Sequence, residues 1–212
     1  MKITKFVFNI FAVNTFIVWD ETTKEALIID PGTSSPEEEK EIKGFITREN
    51  LTIKYFLNTH CHIDHIFGNA FIKENYSAEF LAPEGDVFLL DLMVDHAGDI
   101  GVTMEPSPKP DEFIRESLII NLGDIQAKFI STPGHTPDGY CVYFENEKIC
   151  FTGDTLFNES IGRTDLWGGN YEALIDSIQM KLLSLPQDVR IYAGHGDESI
   201  IGYEKNNNPF LT

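Results

Sequence analysis

The chain has 212 residues, with 16 Lys plus Arg against 34 Asp plus Glu, for a formal net charge of −18. That balance is too acidic for a general nucleic-acid binder, whose affinity comes mainly from basic contacts to phosphate. Apolar residues make up 42% and charged residues 24%, which is ordinary globular usage, so disorder does not explain the charge, and the length suits one large domain that needs no disulfide staple.

Taken in chain order, Lys2 and Lys5 precede an apolar run over residues 6–19 that loosely mimics a signal peptide. Asn9, Asn14 and Thr15 interrupt it, no small-residue cleavage pattern follows, and it falls short of the roughly 20 apolar residues of a spanning helix. Two strands are predicted instead, over residues 3–8 and 15–19, and no membrane partner is expected. A third strand, 26–30, stops at the turn signal Pro31-Gly32. Ser35 then caps a helix with Pro36 in its first position and Glu38 completing a capping box. This helix should run to Glu49 with Ile42, Phe45 and Ile46 on one face, ahead of a buried strand over 53–57.

Helices are predicted over 65–76 and 83–94, with a short strand at 79–82 between them. The regular pattern fails from 95 to 111, where Pro106, Pro108 and Pro110 alternate, and this reads as an irregular loop rather than a domain linker. Strands follow at 117–121, 125–131, 139–144 and 148–152. Asn170 caps a helix carrying Leu174, Ile178 and Leu182 that ends before Pro186, and a last strand, 189–193, runs into Gly194-His195-Gly196. This order of strands and helices predicts a layered α/β domain. Cys61, Cys141 and Cys150 form an odd set without C-x-x-C spacing, which argues against a disulfide framework or zinc ribbon and for a reducing, cytoplasmic setting. A two-residue turn at Glu145-Asn146 would set Cys141 opposite Cys150, yet two small buried thiols remain the preferred reading.

Three of the six histidines fall in Thr59-His60-Cys61-His62-Ile63-Asp64-His65, directly after a predicted strand. With this composition an H-x-H-x-D-H motif arises by chance in roughly three of ten thousand such chains. Loops at strand carboxyl ends point into the crevice above a sheet. Neutral imidazoles with a carboxylate suit zinc or iron, and the alternation aims His60 and His62 one way while Asp64 and His65 reach a second point. His135, Asp154 and His195 stand at other strand ends, each beside a glycine that lets the backbone turn sharply. Five of the six histidines would thus meet at one sheet edge.

This constellation resembles the metallo-β-lactamase fold superfamily. Pro133-Gly134-His135-Thr136-Pro137, Gly153-Asp154-Thr155-Leu156-Phe157, Ser160-Ile161-Gly162-Arg163-Thr164-Asp165-Leu166 and the tail from Gly194 to Phe210 narrow the likeness to the short, single-domain glyoxalase II-like hydrolases. The resemblance covers nearly the whole chain and implies a four-layer αββα sandwich. It also implies that His60, His62 and His135 hold one divalent metal, that Asp64, His65 and His195 hold a second, and that Asp154 bridges them. Zinc is preferred to iron or manganese. Asp rather than Cys at 154 separates the chain from lactamases with Cys there, and His62 separates it from flavo-diiron relatives with Glu. His96 matches no ligand position.

The implied reaction is attack on a small thioester or related acyl carbonyl by a hydroxide that the metal pair shares, with Asp64 and Asp154 as catalytic residues. A mononuclear iron persulfide dioxygenase using His60, His135 and Asp154 is the alternative, and a non-enzymatic metal-binding module a third. In two-domain glyoxalase II enzymes a C-terminal domain supplies basic groups for glutathione. Here 17 residues follow His195 and Lys205 is their one basic side chain, so the resemblance leaves glutathione recognition open. Arg163 and Asp165 read as a loop-stabilising ion pair, and the acidity disfavours the nuclease members.

Overall fold

A computed structural model describes residues 1–211. The first half runs β1 (Lys2–Phe8), β2 (Val13–Trp19), β3 (Glu25–Ile29), α1 (Pro36–Glu49), β4 (Thr52–Leu57), α2 (Ile63–Ile66), α3 (Asn69–Asn75), β5 (Glu79–Pro83), α4 (Val87–Asp99) and β6 (Glu112–Ile114). The second half runs β7 (Ile119–Leu122), β8 (Ile125–Ser131), β9 (Tyr140–Phe144), β10 (Ile149–Gly153), β11 (Leu156–Phe157), β12 (Ser160–Ile161), α5 (Tyr171–Asp176), β13 (Arg190–Ala193), β14 (Ser199–Ile200) and α6 (Ile201–Asn207). Strands β1 to β6 form one sheet in sequence order, and the second sheet has the order β14-β13-β10-β9-β8-β7.

Period-2 alternation builds the layers. On β2, Phe16 and Val18 face a core shared with Leu27, Ile29, Phe129, Val142 and Phe151, where the two sheets meet. Ile17 and Trp19 face the other way, onto Ile42, Phe45 and Ile46 of α1 and onto Leu89 and Met93 of α4. On the second sheet, Cys141, Cys150 and Ile191 pack against Leu174, Ile178 and Ile201 of the outer helices. Three cores between four layers make the αββα sandwich. A strand buried on both faces carries a continuous apolar run, which is why β2 resembled a targeting segment. No helix among the described residues is long and apolar enough to cross a membrane.

Several elements depart from expectation. The Glu38 carboxylate does not complete a capping box. Ser35 Oγ accepts from the Glu38 N–H, but the Glu38 side chain takes the N–H groups of Ser34 and Asn9, both at 2.7 Å, tying α1 to the β1–β2 turn. The helix predicted over 65–76 starts earlier and breaks at Gly68, whose N–H bonds Pro31 O at 2.7 Å. A Cβ there would lie 2.4 Å from Thr33 Oγ1 and 2.7 Å from Pro31 O, so only glycine allows this approach. The irregular loop placed at 95–111 begins later, because α4 continues to Asp99 on an apolar face of Leu89, Leu90, Met93 and Ala97. Directly after it, 112–114 form β6 beside β5, where no strand is predicted.

The β9–β10 connection spans Glu145 to Lys148 rather than two residues, and Cys150 pairs with Tyr143. Cys141 is therefore a diagonal neighbour of Cys150 on one sheet face. All three cysteines are free and buried.

Candidate metal centre

Every candidate residue sits just beyond a strand's carboxyl end. The loop after β4 carries His60, His62, Asp64 and His65, while His135 follows β8, Asp154 follows β10 and His195 follows β13. The antiparallel and parallel pairings bring these ends to one edge of the sandwich. His60, His62 and His135 place one ligand atom each within 4.8 Å of one another, as do Asp64, His65 and His195. Across the first set, His62 Nδ1 is 2.9 Å from His135 Nε2. Across the second, His195 Nε2 is 3.0 Å from Asp64 Oδ2. Asp154 stands between them: its Oδ2 lies 3.6 Å from His135 Nε2 and 3.5 Å from His195 Nε2, and its Oδ1 lies 3.4 Å from His65 Nε2. The structure thus gathers all seven residues, and leaves His96 outside on α4, its ring 4.8 Å from that of Trp167. Trp167 in turn lies 6.0 Å from His62 and walls that side.

The donor atoms fit divalent cations. His60 Nε2 and His62 Nε2 are buried without a hydrogen-bond partner, and each such group costs about 1–3 kcal/mol unless something satisfies it. Convergent imidazoles around a carboxylate able to serve two points are donors suited to zinc or iron. Burial pushes the imidazoles of His60, His62 and His135 down, His62 to about 3, so they are neutral near pH 7 with lone pairs free. For His65, burial acts the same way, but the carboxylates of Asp64, Asp30 and Asp154 outweigh it and hold the imidazolium well above 6.5. His195 is raised too: the bond to Asp64 and the charge of Asp154 overcome its desolvation. Asp64 and Asp154 are desolvated, yet the surrounding imidazoles, His65 foremost, hold both below the usual carboxylate range.

A cation entering the Asp64 side therefore displaces protons. Adding metal to chelated protein should release roughly one to two protons per chain near neutral pH, and metal affinity should rise with pH until His65 and His195 have lost theirs. Calorimetry in buffers of different ionisation enthalpy measures this, and an uptake independent of buffer would contradict it.

Partners behind these residues orient them. Asp30, buried at the end of β3, accepts from Thr59 N–H at 2.7 Å and Thr59 Oγ1 at 2.8 Å, and its Oδ2 lies 3.0 Å from His65 Nδ1. Thr59 Oγ1 is also 3.1 Å from His60 Nδ1. His135 Nδ1 meets Arg163 O at 2.7 Å, which turns Nε2 toward the site. Buried Asp86 accepts from Cys61 N–H and Asp138 N–H, joining the loop between His60 and His62 to the one after His135, and burial raises its carboxyl to about 6.

The polar interruptions of the first apolar run belong here as well. Asn9 Nδ2 donates to Gly32 O and Asp64 O, Asn14 Nδ2 to Ala193 O and Gly196 O, and Thr15 Oγ1 to Asp30 O. Sequence reasoning missed Asp30, Asn14 and Asp86 as parts of the site. The signal for Asn14 was an amide within a strand whose other positions are almost all apolar.

Gly194 marks how tightly the edge is packed. A Cβ there would fall 2.2 Å from Asp154 Oδ1 and 2.8 Å from His65 Cε1. Gly194→Ala should thus cost most of the bound metal although no donor is replaced. Metal analysis of the purified variant checks this, and a full complement would contradict it. Beside the centre lies a cleft of about 590 Å³ lined by His135, Asp154, Phe157, Asn158, Arg163 and His195, among others. Arg163 is turned to Asp165 in two bonds of 2.7 Å that hold the Asp165 carboxyl at about 2, an exposed pair of little weight for stability.

Comparison with known proteins gives the same picture. Hydroxyacylglutathione hydrolase GloC of Haemophilus influenzae is 40% identical over 204 residues, spanning 95% of this chain and 93% of its own. Among solved structures, BLEG-1 B3 metallo-beta-lactamase superposes with a TM-score of 0.89 at 30% identity over the full length of both chains. TTHA1623 in a di-iron-bound form gives 0.87 at 29% identity, covering 98% of this chain and all of that one. The Metallo-beta-lactamase superfamily model matches residues 9–195, a span that opens at the asparagine bonded to Asp64 O and closes on His195, so the chain belongs to the metallo-beta-lactamase superfamily.

Proposed function

We propose that the protein is a dinuclear metallohydrolase that cleaves a small thioester or related acyl substrate. The observation that carries this reading is the second donor set: Asp64, His65 and His195 converge beside His60, His62 and His135, with Asp154 in reach of both. In this reading each set holds one divalent ion and Asp154 serves both. The di-iron form of TTHA1623 and the hydrolase name of GloC support it. Bound there, a metal pair would polarise a carbonyl and lower the pKa of water to near 7.

The chain's own groups supply the rest. Asp64, with its carboxylate held ionised, accepts a hydrogen bond from the attacking water and orients it toward the acyl carbon. The imidazoles of His60, His62 and His135 stay neutral and remain donors of lone pairs. Phe157 and Trp167 flank the centre on two sides, at 6.3 Å from His195 and 6.0 Å from His62. A departing thiolate has a conjugate acid of pKa about 8.5 and leaves without the strong general acid that an amine requires. The cleft lining provides neutral hydrogen-bonding groups in Asn158 and Ser160, while the guanidinium of Arg163 is tied to Asp165.

The direct test is a panel of thioesters, with and without glutathione, alongside an oxygen ester, a lactone and a β-lactam, offered to metal-loaded protein. Thioester hydrolysis is expected, with the glutathione-free thioesters among the substrates. Activity confined to the β-lactam, or no hydrolysis at all, would contradict the reading.

A further inference from the structure

We propose that Glu204 and Asn208 are positioning residues for the substrate, bracing the β11–β12 hairpin that walls the cleft; the substrate part of this rests on the hydrolase reading above. The hairpin has only two residue pairs, Leu156 with Ile161 and Phe157 with Ser160, and pairs with neither large sheet. So short a ribbon is marginal alone, and its turn residue Glu159 has a left-handed φ of 56°. Yet Phe157, Asn158, Ser160 and Ile161 all line the cleft.

Its base is anchored by Thr152 Oγ1, which donates to Leu156 O at 2.8 Å, and by burial of Leu156 and Ile161 in the outer core; its turn is held by α6 and the residue after it. Glu204 is fully buried. Its Oε2 accepts the Glu159 N–H at 2.9 Å and Asn208 Nδ2 at 2.8 Å, and its Oε1 accepts Ser199 Oγ. Asn208 Nδ2 also donates to Ser160 O at 3.1 Å, and Tyr203 Oη donates to Glu159 Oε1. The hairpin turn is therefore held at one N–H, the next carbonyl and one side chain, all from the 199–208 segment.

The choice of residue matters. A buried carboxylate is costly unless hydrogen-bonded, and the bonds from Glu159 N–H, Ser199 Oγ and Asn208 Nδ2 all come from neutral donors. Apolar packing of α6, which Ile201 already supplies in the outer core, would secure the helix at lower cost. What a carboxylate adds is direction: its two oxygens aim at donors on separate elements and set the distance between α6 and the cleft wall. Neither Glu204 nor Asn208 lines the cleft, so both act through Phe157, Asn158 and Ser160.

The experiment compares wild type with Glu204→Gln, Glu204→Ala and Asn208→Ala, reading amide hydrogen exchange over residues 156–161, metal content, and KM and kcat for the best thioester. We expect faster exchange in 156–161, a KM raised by about threefold or more, a kcat within about twofold of wild type and an unchanged metal count. Glu204→Gln keeps the shape and one acceptor, so it reports on the brace even where Glu204→Ala folds poorly. Wild-type exchange in 156–161 in the folded variants would overturn the proposal. So would a KM that stays put while exchange rises, since that pattern belongs to a residue that only stabilises the fold. Exchange is read without substrate: a wild-type protein that cleaves no thioester sinks the hydrolase reading, and the exchange result then decides the brace by itself.

Discussion

Asp154→Ala is expected to lower kcat/KM by roughly a thousandfold or more and to leave well under two metal ions per chain. The size follows from what the carboxylate touches. Its Oδ1 faces His65 while its Oδ2 faces both His135 and His195, so its removal reaches both donor sets. Metal assistance is worth several kcal/mol of transition-state stabilisation, and each 1.36 kcal/mol is a factor of ten. Loss of the carboxylate also removes one of the charges that raise the His65 and His195 imidazoles, so both should give up a proton more readily. Metal analysis and steady-state kinetics on the same preparation check this. Wild-type turnover with depleted metal would contradict it.

Asp30→Asn should weaken metal binding by about 10–100-fold although Asp30 holds no metal, the usual cost of losing a carboxylate that orients an imidazole ligand. Asp30 Oδ2 lies 3.0 Å from His65 Nδ1 and also accepts the Thr59 hydroxyl, whose oxygen is 3.1 Å from His60 Nδ1. One buried carboxylate thus orients an imidazole in each donor set. In the asparagine variant an NH2 group replaces one acceptor and faces donors, while side-chain volume is kept. A competitive chelator titration measures the change, and fewer protons should be released on binding because His65 loses a neighbouring negative charge. Unaltered affinity would show that the contact does not orient the ring.

The donors were legible because four of them lie within six consecutive residues and the others sit beside glycines at strand ends. The sheets were legible from apolar runs, and the helix at Ser35-Pro36 from its cap. Support for the donors was not, because it depends on contacts between distant segments. Asn14 reaches Ala193 and Gly196, and Asp30 reaches His65, across pairings that no local pattern announces. The same side chains looked like interruptions of a strand or the start of a turn. Glu38 matched a capping box by spacing, yet the turn at Asn9 competes for its carboxylate. Strands β6, β11, β12 and β14 have only two or three residues each, too few for alternation to register, and β11–β12 is the piece that walls the cleft.

The function proposed for the site is hydrolysis served by two metal ions, not one. It is tested most directly by titrating chelated protein with zinc, iron or manganese while following thioester hydrolysis and oxygen consumption together. The expected result is a stoichiometry of two ions per chain, hydrolysis that rises as the second ion binds, and no oxygen uptake. One iron per chain with persulfide-dependent oxygen uptake would contradict it.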